Sequence, residues 1–206
     1  MTKKGLFITL EGPDGGGKTT QAQSLARWFE LYGREVVLTR EPGGTEAAEA
    51  IRQIVLDPAL PVSAETESLL HLAARADHVD KVIKPALDAG KVVICYRFSD
   101  SNLVYQGIMG HMDLAQLRRL NDFATKGLHP DVTILLDGAP EELAKRRQQR
   151  GVVDKFELQG LEFQKRLRDG FLFLAKEEPD RIFVVDALGD PALVTAEITK
   201  KLEKFI

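Results

Sequence analysis

The chain has 206 residues, of which 44% are apolar and 29% are charged, and its formal net charge is −3. This charge argues against a general nucleic-acid-binding protein, and no apolar run approaches the roughly 20 residues that span a bilayer. Because Cys95 is the single cysteine, an internal disulfide and a cysteine-based zinc site are excluded. We therefore expect one cytoplasmic domain over residues 1–206, with no nucleic-acid or membrane partner.

The chain alternates short apolar runs with longer helical patterns. Runs rich in Val, Ile and Leu occupy residues 6–10, 36–39, 92–95, 132–136 and 182–185. Nearly uninterrupted runs of this length are typical of strands that are buried on both faces of a parallel sheet. The predicted fold class is therefore α/β, with a five-stranded parallel sheet flanked by helices.

Helix signals separate the runs. Apolar spacing and end signals predict helices that begin near Lys18, near Glu46, after Ser63, at Pro140 and at Pro191, and two more over residues 114–125 and 161–176. In the helix after Ser63, one stripe is apolar apart from Arg75, whose guanidinium needs an anion or several carbonyls as partners, and Pro85 is expected to end or kink this helix. The apolar residues of this stripe are Leu69, Leu72, Ala73, Ala76 and Val79.

A phosphate-binding pattern follows the first predicted strand and opens the first predicted helix. Residues 12–19 match G-x-x-x-x-G-K-[ST] and run on into a second threonine: Gly12, Pro13, Asp14, Gly15, Gly16, Gly17, Lys18, Thr19 and Thr20. Glycines allow consecutive backbone N–H groups to surround phosphate oxygens, and the helix N-terminus adds positive potential. Lys18 is expected to contact the β- and γ-phosphates, and Thr19 to bind Mg²⁺. The motif therefore predicts a nucleoside triphosphate site without specifying the reaction, and the sequence lacks the N-K-x-D guanine-recognition motif that a GTPase would be expected to carry.

Several further stretches resemble bacterial thymidylate kinases, a family of nucleoside monophosphate kinases with a P-loop NTPase fold. The similar stretches are the P-loop, residues 39–45 (T-R-E-P-G-G-T), residues 72–75, the segment from Arg97 to Gly107, and residues 146–157. The resemblance extends from about residue 5 to the C-terminus. It implies ATP- and Mg²⁺-dependent phosphorylation of dTMP to dTDP, a lid over about residues 145–157, and a homodimer.

The resemblance also implies the residues that hold the acceptor. Arg75 and Arg97 would bind the phosphate of dTMP, which suits two bidentate arginines. Arg97 would thereby take part in catalysis. The remaining dTMP residues implied by the match are Glu41, Pro42, Arg52, His71, Ser101, Asn102, Tyr105 and Gln106.

On the ATP side, the resemblance assigns two arginines that lie four residues apart. Arg146 would pack on adenine, and Arg150 would enter the lid over the phosphates. Some members carry the catalytic arginine inside the P-loop, at the position that is Gly15 here. We therefore expect Arg150 to act as an arginine finger in cis, together with Lys18 and Asp14.

Two departures from the family pattern leave alternatives open. His71 stands where the family usually stacks a phenylalanine on thymine, so a kinase for another pyrimidine monophosphate is one alternative. Tyr96 stands where a magnesium-binding aspartate is expected, so a nucleotide-binding protein with little turnover is another. Asp14 and Asp137, both at strand ends, are candidates to replace that carboxylate in part.

Overall fold

The computed structural model describes residues 4–148 and 160–206. It contains a single all-parallel sheet in the order β2-β3-β1-β4-β5. The strands are β1 (Leu6–Glu11), β2 (Val36–Arg40), β3 (Val92–Tyr96), β4 (Val132–Asp137) and β5 (Ile182–Asp186). Every predicted strand is confirmed, and each extends one residue further than its apolar run.

The predicted helices are also confirmed. They are α1 (Lys18–Leu31), α2 (Glu46–Leu56), α3 (Ala64–His78), α4 (Lys84–Asp88), α5 (Ser99–Asn102), α6 (Leu114–Thr125), α7 (Pro140–Gln148), α8 (Leu161–Glu177) and α9 (Pro191–Leu202), of which α4 and α5 were not separately predicted. Thr45, Ser63 and Asp190 cap α2, α3 and α9 with their side chains. Pro85 does not end the helical path, because a π-helical stretch, Val79–Ile83, carries it from α3 into α4.

Alternate residues of the central strands fill the two faces of the sheet. Leu6, Ile8 and Leu10 of β1 pack in a cluster with α1 and α9, whereas Phe7 faces the cluster that contains Val79 and Ile83. A third cluster joins β4 to α6 and α8. Cys95 is buried in the sheet, and burial raises the pKa of its thiol well above the usual value.

Burial on both faces holds for β1, β3 and β4 but is wrong for the two edge strands. Leu38 in β2 is 43% exposed and Val184 in β5 is 39% exposed. A short apolar run does not distinguish an edge strand from a central one, because neighbours that are distant in sequence decide the position. Within the described ranges, no helix is long and apolar enough to cross a membrane.

The apolar stripe expected on α3 is only half correct. Leu72 and Val79 are buried, but Leu69 is 58% exposed and Ala73 is exposed as well. The buried residues of α3 also include the polar Ser68, Arg75 and His78. Of the residues of α3, His71 and Arg75 line the cleft described next.

Candidate active site

A cleft of about 650 Å³ lies at the carboxyl ends of β1, β2 and β3, where open parallel sheets bind ligands. Among the residues that the sequence predicts for the site, Gly12 and Pro13 are buried within the P-loop and do not line the cleft. Arg150 lies outside the described residues. The cleft brings the others together: Asp14, Gly15, Gly16, Gly17, Lys18, Thr19, Thr20, Glu41, Pro42, Arg52, His71, Arg75, Arg97, Ser101, Asn102, Tyr105, Gln106 and Arg146.

The P-loop wraps around the ammonium group of Lys18. Its Nζ donates to the carbonyls of Gly12 at 2.8 Å and Pro13 at 2.9 Å. Burial, with a further contribution from the charge of Arg97, lowers the pKa of Lys18 to about 8. The loop therefore holds a desolvated cation beneath the region where phosphates would bind.

Gly15 has a structural reason to lack the arginine that some relatives carry. Its φ is +94°, and a Cβ at this position would lie 2.7 Å from the carbonyl oxygen of Leu143 in α7. A side chain there would be strained and would collide with α7. An arginine at this position would require α7 to move.

Asp14 and Arg97 connect the P-loop to the end of β3. Arg97 donates to Asp14 Oδ2 at 2.6 Å and to Tyr105 Oη at 3.2 Å, and its guanidinium lies over the Tyr105 ring. Burial opposes ionisation of Asp14, but the nearby charges of Arg97 and Lys18 hold the pKa of its carboxyl well below the usual value. Asp14 is therefore a carboxylate that faces the cleft between two cations.

Glu11, at the end of β1, is a site residue that the sequence reasoning missed. It is 1% exposed, and it accepts hydrogen bonds from the Phe98 N–H at 2.7 Å and from the Ser101 hydroxyl at 2.6 Å. Burial and the nearby charge of Asp100 raise the pKa of its carboxyl to about 7. The sequence feature that could have identified Glu11 is its position, because a charged residue directly follows the apolar run 6–10 and precedes the P-loop.

The other end of the cleft is built around Glu41. One carboxylate oxygen accepts from Arg75 Nε at 2.7 Å and the other lies 3.0 Å from His78 Nδ1. The second ring nitrogen of His78 lies 2.6 Å from the Thr39 hydroxyl. All of Glu41, Arg75 and His78 are buried, so β2 and α3 are joined here by a paired charge network.

Arg75 is also the first member of a series of hydrogen bonds between amide side chains. It donates to Asn121 Oδ1 at 2.5 Å, and Asn121 in turn donates to Asn102. Asn102 donates to Gln106 at 2.9 Å. Arg75 thus binds among amides, whereas Arg97 binds Asp14, so the two arginines have different partners in the cleft. Asn121 was also missed, because a lone asparagine in an amphipathic helix carries no distinguishing pattern.

Three more predicted positions line the cleft. Arg52 donates to the Pro42 carbonyl at 3.0 Å, which places it beside the loop after β2. His71 lies one helical turn before Arg75 on α3. Tyr96 ends β3, lines the cleft and packs its ring against the cluster shared with α1.

On the opposite side, Arg146 of α7 donates to the carbonyls of Ala187 at 2.6 Å and Leu188 at 2.7 Å. These contacts hold its guanidinium against the loop that follows β5. Asp137 does not share the cleft, because both of its carboxylate oxygens accept from Arg168 at 2.7 Å.

Comparison of the sequence and the fold with known proteins identifies the family. The family model described as thymidylate kinase matches residues 10–198. The chain belongs to the thymidylate kinase family. The thymidylate kinase of Symbiobacterium thermophilum is 46% identical, covering 98% of this chain and 94% of its own, and that of a Synechococcus species is 50% identical, covering 94% and 93%. The solved structure of thymidylate kinase from Ehrlichia chaffeensis superimposes with a TM-score of 0.80 at 36% identity, covering 97% of this chain and 99% of its own.

Membership of the thymidylate kinase family makes the chain an enzyme of the nucleoside monophosphate kinase class, with a P-loop NTPase fold. The departures at Tyr96 and His71 lie inside a cleft whose other predicted residues are brought together. Both side chains line this cleft.

Proposed function

We propose that this chain transfers the γ-phosphoryl group of ATP to dTMP and releases ADP and dTDP. The observation that carries the proposal is one continuous cleft with a P-loop at one end and the Glu41–Arg75 network with its amides at the other. The Asp14–Arg97 contact lies between the two ends. This arrangement suits a donor and an acceptor that meet in line.

In this reaction, a phosphate oxygen of dTMP attacks the γ-phosphorus while the bond to the bridging oxygen of ADP breaks. Lys18 and the P-loop N–H groups bind the donor phosphates, and Arg97 binds the acceptor phosphate. No protein group forms a covalent intermediate, so positioning and charge stabilisation supply the catalysis. Arg150, which lies outside the described residues, is the proposed arginine finger, and Arg146 is proposed to lie beside adenine.

The described residues also fit a magnesium ion bound with ATP. Thr19 offers an exposed hydroxyl and Asp14 a cleft-facing carboxylate, both of them hard oxygen donors. In the part of the chain that the structure describes, no group of three or more His, Cys, Asp or Glu side chains could form a metal cage. A small donor set suits Mg²⁺, which keeps several waters and neutralises phosphate charge when it is bound. Thr19 and Asp14 are the proposed ligands.

At the acceptor end, Arg52, Asn102 and Gln106 are proposed to read the pyrimidine, since an amide presents both a donor and an acceptor. Ser101, Tyr105 and His71 would complete the walls for sugar and base. Arg75 is proposed to bind the phosphate of dTMP together with Arg97, and Glu41 and Pro42 are proposed to line that pocket. In the structure Arg75 donates to Glu41 and Asn121. We further propose that the enzyme acts as a cytoplasmic homodimer.

A coupled assay of ADP formation over a panel of nucleoside monophosphates tests the function. We expect kcat/KM for dTMP to exceed the values for dCMP and for purine monophosphates by several orders of magnitude, because buried hydrogen-bonding groups reject mismatched bases. The methyl-lacking dUMP should lose about 10- to 200-fold. Comparable rates with AMP or GMP would contradict the proposal. A preference for dCMP would instead favour the other pyrimidine kinase that the His71 departure suggests.

A further inference from the structure

Glu11 is a buried carboxylate that the proposed reaction does not itself use. It ends a strand whose other residues are all apolar or, at Thr9, hydroxylated, and its side chain is 1% exposed. A buried carboxylate is costly unless hydrogen bonds or charges compensate it. Its partners therefore indicate what the carboxylate does.

Both carboxylate oxygens bind the segment that follows Arg97. Oε1 accepts from the Phe98 N–H at 2.7 Å and the Ser101 N–H at 3.3 Å, and Oε2 accepts from the Ser101 hydroxyl at 2.6 Å. Glu11 thereby connects the strand that leads into the P-loop with the turn that presents Arg97.

This turn needs such support, because Arg97 has a positive φ of 65°. A non-glycine residue in the left-handed region persists only where its surroundings fix it. The Arg97 N–H donates to the Leu10 carbonyl at 2.9 Å, and the next N–H donates to Glu11. The Arg97 side chain is held as well, because its NH1 donates to the same Ser101 hydroxyl that binds Glu11.

We infer that Glu11 is a positioning residue that fixes the backbone and the guanidinium of Arg97 for the acceptor phosphate. This inference rests on the proposed function of Arg97. Glu11 acts through Arg97 and touches no substrate. Loss of its carboxylate should therefore weaken recognition of the phosphate of dTMP and spare recognition of the nucleoside.

The test compares binding of dTMP and of thymidine to the wild-type protein and to Glu11→Gln by calorimetry, without ATP, followed by steady-state kinetics. We expect Glu11→Gln to weaken dTMP binding and to lower kcat/KM by about 10- to 100-fold, the usual effect of losing a hydrogen bond to a charged group. Thymidine affinity should change by less than about twofold. The matched control is Asp131→Asn, which alters a carboxylate that accepts from the Phe7 N–H at the other end of β1. This control should change neither ligand.

A double-mutant cycle separates positioning from a general structural effect. In an Arg97→Gln background, Glu11→Gln should cause little further loss, because the residue through which it acts is already gone. Independent, multiplicative losses would overturn the inference. An equal weakening of dTMP and thymidine binding would overturn it too.

Ser101→Ala keeps the inference testable if Glu11→Gln does not fold. This variant removes the side-chain arm and keeps the bond from Glu11 to Phe98, so it should show a smaller loss with the same selectivity for dTMP over thymidine. Equal effects on both ligands would overturn the inference, because the bond between Ser101 and Glu11 would then not act selectively on the phosphate of dTMP. If the wild-type protein turns over another monophosphate instead, the proposed function fails, and the same comparison with that nucleotide and its nucleoside still tests Glu11.

Discussion

The ammonium group of Lys18 lies where a phosphate would bind, and the hydrogen bonds described for it are all to residues of the P-loop. It binds two P-loop carbonyls and lies 3.5 Å from Asp14. An anion that enters the loop would replace these carbonyls as its partner. We therefore expect Lys18→Ala to abolish measurable phosphoryl transfer and to leave dTMP affinity within about threefold of the wild-type value.

Calorimetry with dTMP alone measures the affinity for dTMP, and the coupled assay measures phosphoryl transfer. Asp14 retains Arg97 as its partner in the variant, so the acceptor end should stay intact. Turnover close to the wild-type rate would remove the P-loop from the mechanism.

Tyr96 is one of the positions where this chain departs from the family pattern, and its phenol is a poor ligand for Mg²⁺ at neutral pH. Asp137 is paired with Arg168, Glu41 is paired with Arg75, and Glu11 is buried, so Asp14 is the carboxylate beside the P-loop that is left to bind the metal. We predict an unusually high magnesium requirement, and a gain of activity at limiting Mg²⁺ in Tyr96→Asp. Initial rates measured across a magnesium titration compare the two proteins. Superimposable curves would show that position 96 has no part in metal binding.

Residues with a local signature were predictable, and residues defined by distant contacts were not. The P-loop binds with consecutive backbone groups, so its spacing in the chain is also its spacing in the fold. Glu11 and Asn121 acquire their roles from Phe98 and Arg75, which are 87 and 46 positions away. No periodicity in the sequence reports such pairs.

Helix α3 shows how the same limit applies to a whole element. Its periodicity predicted an apolar stripe interrupted by Arg75; Arg75 is buried, together with His78, but Leu69 is exposed. Hydrophobic spacing identifies the helix and the residues that share a face of it. It does not reveal whether that face meets the core, a ligand site or another molecule.

Helix α7 is the element that leads toward the proposed lid. Arg146 binds α7 to the loop after β5. The carbonyl of Leu143, also in α7, lies close to Gly15. With no side chain at position 15, the transition-state charge on the donor side requires another cation. We predict that Arg150→Ala lowers kcat by about 10³-fold or more and changes the KM for dTMP by less than about threefold.

Steady-state kinetics at saturating ATP provide this measurement, and Lys145→Ala serves as the control. Lys145 lies in α7 and pairs with Glu142 at the surface, so its loss should leave kcat near the wild-type value. A defect of Arg150→Ala confined to KM would make Arg150 a binding residue only.

Across the whole molecule, the parallel α/β architecture was predictable because every strand and most helices have their own local pattern. The strand order β2-β3-β1-β4-β5 was not, since it depends on which strands pair. The hydrogen-bond network around Glu41 could not be predicted for the same reason. It connects Thr39 on β2 through His78 and Arg75 on α3 to Asn121 on α6, so it exists only once the layers have assembled.

The exposed apolar residues of α2, α3 and α6 suggest the surface of the proposed homodimer. Helix α3 packs between α2 and α6. The outward side chains Ile54, Leu69 and Phe123 are 41%, 58% and 85% exposed. Exposed apolar side chains on neighbouring helices are typical of an interface. A second copy of this chain would cover them with the same surface of its own in a two-fold symmetric dimer.

We predict that Phe123→Asp weakens dimerisation by at least about 100-fold, because a charge would be buried where an aromatic side chain packs. Sedimentation velocity over a concentration series measures the effect. Leu193→Asp is the matched control, since Leu193 is 70% exposed on α9, outside this surface, and its substitution should leave the wild-type association unchanged. Because α3 carries Arg75 on its other face, monomeric Phe123→Asp should also bind dTMP less tightly, whereas Leu193→Asp should not. A wild-type chain that sediments as a monomer at micromolar concentration would contradict the homodimer, and dissociation by Leu193→Asp alone would move the interface to α9.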